Sequence, residues 1–161
     1  FEGTYYLPEN QLDRFLLRVS IGYPPRDAER QILTTEPGRG MLEKLEPVLT
    51  AQQVVDVQDH VKEIKLDATI IDYLVDLVEA TRHHEQLHLV LSPRGALALT
   101  AAVKASAVVH GRGYVEPDDI KGLFLPVWAH RIISKSYLNN GDNQTAARIL
   151  QSILDTVPTP R

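Results

Sequence analysis

Four features of the sequence have side chains suited to chemistry: two arginines, a histidine-rich segment and an acidic pair. One of the arginines is Arg94. The segment Leu91–Arg94 reads Leu-Ser-Pro-Arg and precedes an apolar run that ends near His110. Ser92 is suited to cap the N-terminus of a helix and Pro93 to fill its first position, which puts Arg94 in the first turn. A cation there opposes the helix dipole, so the sequence indicates either an anionic ligand or a surface ion pair at this point.

A second arginine, Arg14, lies at the end of a short predicted helix that begins after Pro8. A local ion pair with its neighbour Asp13 is one interpretation. The other is that Arg14 lies on the rim of a subunit and reaches a phosphate bound by a neighbouring subunit, a task that suits the planar, permanently charged guanidinium. The residue types alone leave both interpretations open.

The segment from His84 to His88 matches the HExxH pattern of zinc hydrolases, in which two histidines one turn apart hold the metal and the glutamate, here Glu85, acts as a base. The match lies four residues before Ser92, at a predicted helix end or loop, and another histidine, His83, precedes it. No third ligand follows at the usual spacing. We therefore expect a coincidental match and no metal site; the zinc-hydrolase alternative, with His84, Glu85 and His88, predicts stoichiometric zinc in the purified protein.

The pair Asp118 and Asp119 follows Pro117 and is predicted to lie in the first turn of a helix, where the dipole favours carboxylates. Because no partner acid lies at catalytic spacing, we interpret both as helix-start residues. The sequence contains neither a GxxxxGK[ST] phosphate loop nor an acidic strand end that could hold Mg²⁺. This chain alone is therefore not expected to hydrolyse a nucleotide.

The elements that would position these residues are mainly helices. Helices are predicted to begin near residues 8, 25, 51, 68, 93, 117 and 145, and a further helical stretch is predicted over 128–133, after Pro126. One strand is predicted over residues 16–22, where apolar and β-branched residues alternate. Because a lone strand cannot satisfy its own backbone, we expect a preceding part of the protein or a neighbouring molecule to complete its sheet. The chain by itself is expected to dimerise or aggregate through that edge.

Composition narrows the class of protein. The chain has 161 residues, of which 43% are hydrophobic, no cysteine and a formal net charge of −4. The missing cysteine excludes a disulfide framework and a thiolate metal site, and the acidic balance argues against a nucleic-acid surface. No apolar run has membrane-spanning length and no signal peptide is visible, which indicates a cytoplasmic protein with no membrane span. The first residue is Phe1 and reads as interior sequence, so we expect part of a longer protein.

Nearly the whole chain resembles the MoxR-type AAA+ ATPases, most specifically residues 2–24 and 91–131. The similarity is carried by Phe1–Phe15 with Gly22-Tyr23-Pro24, by Leu91–Arg94 with the Ala- and Leu-rich helix after it, and by Gly111–Ile120 with His130-Arg131. These three segments are similar to the region after sensor 1, to sensor 2 and to the rest of the lid domain. Gly95 departs from the family, in which an alanine is more usual at this position.

The resemblance implies a mainly α fold, with a helical-bundle AAA+ lid domain over residues 25–161. A short helix-strand remnant of the α/β ATPase core is implied over residues 1–24. Arg14 matches the arginine finger, which stabilises charge on the γ-phosphate of ATP held by the adjacent subunit. Arg94 matches the sensor 2 arginine, which contacts the γ-phosphate within its own subunit or across to a neighbour.

The resemblance further implies the C-terminal part of a ring-forming, hexameric ATPase that uses ATP and Mg²⁺. Such a protein would act as a chaperone in the assembly of partner complexes or in metal insertion into them. The Walker A lysine, the Walker B acids and the sensor 1 asparagine would lie before Phe1, so the chain alone would be inactive and hold no cofactor. The alternative is a non-enzymatic helical protein-interaction module, such as an adaptor or a lid-like DNA-binding bundle, although the acidic charge disfavours DNA.

Overall fold

The computed structural model describes residues 8–35, 44–140 and 144–160, which are mainly helical. Their elements, in chain order, are α1 (Glu9–Leu12), α2 (Arg26–Thr35), α3 (Ala51–Glu63), α4 (Ala68–Arg82), β1 (Leu87–Leu89), α5 (Pro93–Val109), α6 (Pro117–Trp128), β2 (Ile133–Ser134), α7 (Lys135–Asn140) and α8 (Gln144–Thr156). The chain divides into two compact units, one formed by Phe1–Arg18 with His60–Arg161 and the other by Val19–Asp59. None of the described helices is long and apolar enough to cross a membrane.

The core of the first unit is formed by α4, α5, α6 and α8. One apolar side chain from each of these helices is fully shielded from solvent: Leu77, Leu99, Phe124 and Leu150. The indole of Trp128, also fully buried, lies against Phe124 with the ring centroids 4.6 Å apart. Because each helix carries its apolar residues on one stripe, the four stripes meet in one continuous core.

Local sequence explains where the central helices begin and end. The Asp67 carboxylate caps α4 by accepting from the N–H of Thr69 at 2.9 Å, and the Ser92 hydroxyl caps α5. The chain leaves α5 through Gly111, whose φ of +70° lies in the left-handed region that glycine adopts without steric cost. These starts and this end agree with the sequence predictions.

The predicted helical stretch over residues 128–133 is wrong. Helix α6 continues through Pro126 and ends at Trp128, because a proline in the last turn removes only one helical hydrogen bond. Ile133 and Ser134 instead form β2, which pairs antiparallel with β1. This small sheet joins the segment before α5 to the segment after α6, and neither strand is long enough to show a periodic pattern in the sequence.

The strand predicted over residues 16–22 is not formed in the part of the chain that the structure describes. The N–H of Arg18 donates to the Pro126 carbonyl oxygen at 2.8 Å, but no ladder of backbone hydrogen bonds extends along this segment. Val19 is 71% exposed and Ile21 is 96% exposed. A strand exists only with a neighbour to pair with, so an alternating pattern alone cannot produce one. Association of the chain through this segment stays a prediction.

Candidate functional site

Arg94 lies in the first turn of α5, where the sequence predicts it. The Ser92 hydroxyl accepts from the N–H of Gly95 at 3.2 Å, and Pro93 opens the helix. The Arg94 side chain is 64% exposed, and its Nη1 lies 3.9 Å from Oδ2 of Asp13. Exposed ion pairs of this length contribute at most about 1 kcal/mol, so this contact is easily exchanged for a stronger anion.

Asp13 supplies the negative charge at the N-terminus of α5. The Ser92 hydroxyl, 79 residues further along the chain, donates to both carboxylate oxygens at 3.3 and 3.4 Å. A carboxylate at this end of a helix is favoured by the helix dipole, which the cation of Arg94 opposes. Asp13 therefore offsets the local electrostatic cost of Arg94, and the same hydroxyl that caps α5 also fastens the N-terminal segment to it.

Arg14, next to Asp13, is exposed and differs from it in having no fixed partner. The Asp13 carboxylate is turned towards Ser92, Arg94 and Arg131, so the local Asp13–Arg14 ion pair considered from the sequence is not formed. Within the described residues, no hydrogen bond or ion pair holds the Arg14 guanidinium. The structure thus presents a cation to solvent beside a segment that is itself anchored.

The anchor of this segment is Arg131, whose side chain is only 2% exposed. Its Nη1 donates to the Asp13 carboxylate at 2.8 Å and to the Asp13 carbonyl oxygen at 2.5 Å. Its Nη2 donates to the carbonyl oxygens of Phe15 and Leu16 at 2.6 and 3.3 Å, and its Nε donates to the carbonyl oxygen of Val127 at 2.8 Å. All five N–H groups of the guanidinium are used, which is the condition for burying such a charge.

His130 adds one more bond to the same segment. Its Nε2 lies 3.0 Å from the carbonyl oxygen of Phe15 and must donate to it, because a carbonyl only accepts. Burial, with a further contribution from the charges of Arg131 and Arg18, lowers the pKa of His130 below its ordinary value, although the bond to Phe15 opposes this. The lowered pKa favours the neutral imidazole, whose buried Nδ1 has no hydrogen-bond partner among the described residues.

Gly95 allows Arg131 to approach the start of α5. A Cβ at this position would lie 2.7 Å from Cδ1 of Leu91 and 3.3 Å from Cδ of Arg131. The Gly95 carbonyl oxygen also accepts from Nε1 of Trp128 at 2.9 Å. The departure from alanine noted in the sequence thus coincides with a close approach between α5, Leu91 and the anchoring arginine.

The sequence identifies Arg14 and Arg94 as candidate site residues but indicates no individual role for Arg131 or His130, and only a local ion pair for Asp13. Asp13 and Arg131 are 118 residues apart, so no spacing rule links them. The available signal was the pair His130-Arg131 directly after the apolar helix α6, since charged groups at the edge of a core are almost always bonded.

A second arginine–aspartate pair lies elsewhere in the same unit. The Arg112 guanidinium donates to both oxygens of Asp119 at 2.8 and 2.7 Å, and the Ser106 hydroxyl donates at 2.7 Å. The N–H of Glu116 donates to the same carboxylate at 2.9 Å and so completes the start of α6. Burial raises the pKa of Asp119, but these hydrogen bonds outweigh it and lower the pKa from 3.8 to about 2.

Of the predicted carboxylate pair, Asp119 is buried whereas Asp118 is exposed and contacts Lys121 at 3.3 Å. They serve as helix-start residues, as the sequence analysis interprets them, and do not form a catalytic dyad.

The HExxH match does not lie on a helix. His84 and Glu85 belong to the turn after α4, while His88 lies in β1. Nδ1 of His84 accepts from the N–H of Gln86 at 3.3 Å. The two histidines therefore lack the one-turn helical spacing that the zinc mechanism requires. Among the described residues there is no group of three or more candidate metal ligands.

The sequence of this chain is similar to a known domain family and to several known proteins. A family profile described as "AAA lid domain" matches residues 79–153. The chain is 38% identical over 160 residues to "Uncharacterized protein YeaC" of Bacillus subtilis and 31% identical over 173 residues to "Chaperone MoxR1" of Mycobacterium tuberculosis. Each alignment covers 99% of this chain, but only 50% and 44% of the respective relative. The chain thus spans about half the length of the curated relatives it matches.

The fold has a solved counterpart as well. The crystal structure of a candidate ATPase from Cytophaga hutchinsonii superposes with a TM-score of 0.85 and is 25% identical in sequence. The superposition covers 99% of this chain and 51% of that structure. The same partial coverage is therefore seen in sequence and in structure.

Proposed function

Because this chain belongs to the MoxR-type AAA+ ATPases and carries their AAA lid domain, we propose that it presents two arginines to ATP in a ring of identical subunits. The whole protein hydrolyses ATP with Mg²⁺ in a hexameric ring and acts as a chaperone on partner complexes. This chain supplies residues 1–24 as the end of the ATPase core and residues 25–161 as the lid. A cytoplasmic location stays a prediction.

The observation that carries this proposal is the contrast between Arg14 and its surroundings. Its guanidinium is exposed and has no partner in the described chain, whereas the residues on both sides of it are bonded to Arg131. An exposed cation on a fixed segment is what a phosphate site in a neighbouring subunit needs, because the cation is held in place without being neutralised. Arg14 is therefore the arginine finger.

The fit of Arg94 to a phosphate rests on different evidence. Its cation lies at a helix N-terminus, where backbone N–H groups also face outward, and its ion pair with Asp13 is long at 3.9 Å. A phosphate can accept two parallel hydrogen bonds from one guanidinium, and this bidentate contact is absent from the Arg94–Asp13 pair. Arg94 therefore binds the γ-phosphate as sensor 2, and we expect Arg94→Ala to impair hydrolysis.

The test is ATP turnover by the whole protein with Arg14→Ala. Loss of an arginine finger removes transition-state stabilisation, so turnover falls by about 10³-fold or more while ATP binding is kept. Arg18→Ala is the matched control, because Arg18 is also an exposed arginine of the same segment and keeps its backbone bond to Pro126. Retained turnover in Arg14→Ala would contradict the assignment.

A further inference from the structure

We propose that Arg131 is a positioning residue for Arg14, acting from the lid on the segment Asp13–Leu16. The inference rests on the proposed role of Arg14 as the finger. Arg131 does not approach the phosphate itself. It acts through the backbone on either side of Arg14. The observation that carries the inference is that the buried Arg131 bonds the residues before and after the exposed Arg14.

The segment that contains Arg14 needs such a support because it has no secondary structure of its own. Helix α1 ends at Leu12, and the residues after Arg14 run without a strand partner in the described chain. Arg131 binds the carbonyl oxygens of Asp13, Phe15 and Leu16, so the peptide groups before and after Arg14 are fixed in direction. The direction in which the Arg14 side chain leaves the backbone is set as a result.

Arg131 is itself held rigidly, which makes it suited to transmit position. Its Nε bonds the last turn of α6 through Val127, and its stem lies near Gly95 at the start of α5. Both helices belong to the buried core of the lid. The finger segment is therefore attached to the junction of two core helices and not to a mobile loop.

Asp13 connects this support to the proposed sensor. One carboxylate oxygen bonds Arg131 at 2.8 Å, and the other lies 3.9 Å from Arg94. The start of α5, which carries Arg94, is thus joined to the residue before Arg14. A displacement of the lid moves Arg14 with it, so the lid of one subunit sets the position of the finger in the next subunit's site.

The experiment compares Arg131→Met with Arg112→Met in the whole protein, measuring kcat, KM for ATP and the thermal unfolding midpoint. Both variants remove a core-edge arginine that donates hydrogen bonds to an aspartate. Of the two arginines, only Arg131 bonds the segment Asp13–Leu16, since Arg112 bonds Tyr114 and Asp119 and forms an ion pair with Glu116. Arg112→Met therefore controls for loss of stability alone.

We expect Arg131→Met to lower kcat by about 100-fold, the effect of a misplacement of order 1 Å. KM for ATP should change by less than about 2-fold, because a displaced finger loses transition-state stabilisation and not ground-state binding. Arg112→Met should lower the unfolding midpoint and leave kcat within about 2-fold of the unaltered protein.

If Arg131→Met does not fold, Arg131→Lys carries the test. A lysine keeps the charge but has only three N–H donors on one nitrogen, so it cannot reproduce the five hydrogen bonds of the planar guanidinium. The same fall in kcat at unchanged KM supports the inference for either variant. An unchanged kcat in a folded Arg131 variant overturns it, as does an equal fall in kcat for Arg112→Met.

The outcome is separate from that of the proposed function. If Arg14→Ala retains turnover, the finger assignment fails, whatever Arg131 does. If Arg14→Ala abolishes turnover and the Arg131 variants do not affect kcat, the finger stands and only the positioning role is refuted.

Discussion

The first compact unit contains two arginine–aspartate pairs, which have the same chemistry but join residues at different separations along the chain. Arg112 and Asp119 are seven residues apart and connect the end of α5 to the start of α6. Arg131 and Asp13 are 118 residues apart and connect the turn after α6 to the N-terminal segment. The first pair fixes a turn between two helices, whereas the second fixes a segment that lies outside any helix or strand.

The carboxylates of the two pairs also differ in solvent exposure. The Asp119 side chain is 3% exposed and fully enclosed by its donors, whereas the Asp13 side chain is 25% exposed and faces Arg94 as well as Arg131. A closed carboxylate serves stability, because hydrogen bonds are stronger in the low-dielectric interior and a fully satisfied network is rigid. A partly open carboxylate between two arginines can change partners, which is the property expected of a functional position.

The largest effect on stability is expected for Asp119→Ala. The change removes both hydrogen bonds between Arg112 and Asp119 and the bond to the Glu116 N–H at the start of α6. We expect the free energy of unfolding to fall by about 3 kcal/mol, as is typical when one partner of a buried pair is removed. Denaturant unfolding of the 161-residue chain, followed by the fluorescence of its single tryptophan, Trp128, measures this loss.

Asp118→Ala is the matched control for that prediction, because Asp118 lies in the same turn but is 87% exposed. Its loss should change the unfolding free energy by less than about 0.5 kcal/mol. Equal effects of the two substitutions would show that the Arg112–Asp119 pair does not stabilise the turn.

Lowering the pH should weaken the Arg112–Asp119 pair. The pKa of Asp119 is about 2 in the folded chain and 3.8 ordinarily, so its contribution is present above pH 4 and lost as the pH falls from about 4 to about 2. A difference of nearly two units corresponds to about 2 kcal/mol. Unfolding free energies of the unaltered chain and of Asp119→Asn, measured across this window, should converge at low pH. Parallel curves would contradict the lowered pKa.

The smallest effect is expected at Gly95, where the second pair meets the core. Gly95→Ala improves helix propensity by about 1 kcal/mol but places a methyl group 2.7 Å from Leu91 and 3.3 Å from Arg131. Because Leu91 is buried, we expect the clash to outweigh the gain and leave a net loss of about 1 kcal/mol. Gly122→Ala, in α6 with open space around it, is the control and should stabilise the chain. If Gly95→Ala instead stabilises the chain, the side chains of Leu91 and Arg131 move away from the added methyl group at little cost in free energy.

Much of the fold was predictable because it depends on neighbours in sequence. Caps at Asp67 and Ser92, the first position of α6 at Pro117 and the glycine exit at Gly111 all depend on residues within three positions of the element they define. Arg94 was placed correctly for the same reason, since the Ser-Pro-Arg order alone puts it in the first turn. The errors, at residues 16–22 and 128–133, concern strands, whose existence depends on a partner elsewhere.

The sequence by itself determined most of the helices, the residues that begin α4, α5 and α6, and the presence of two arginines with possible phosphate chemistry. Only the tertiary structure decided which carboxylate faces which arginine. It turned Asp13 away from Arg14 and towards Arg131, and it joined β1 to β2. The physical reason is that a helix start is fixed by hydrogen bonds a few residues long, whereas an ion pair across 118 residues exists only after the core has brought its two ends together.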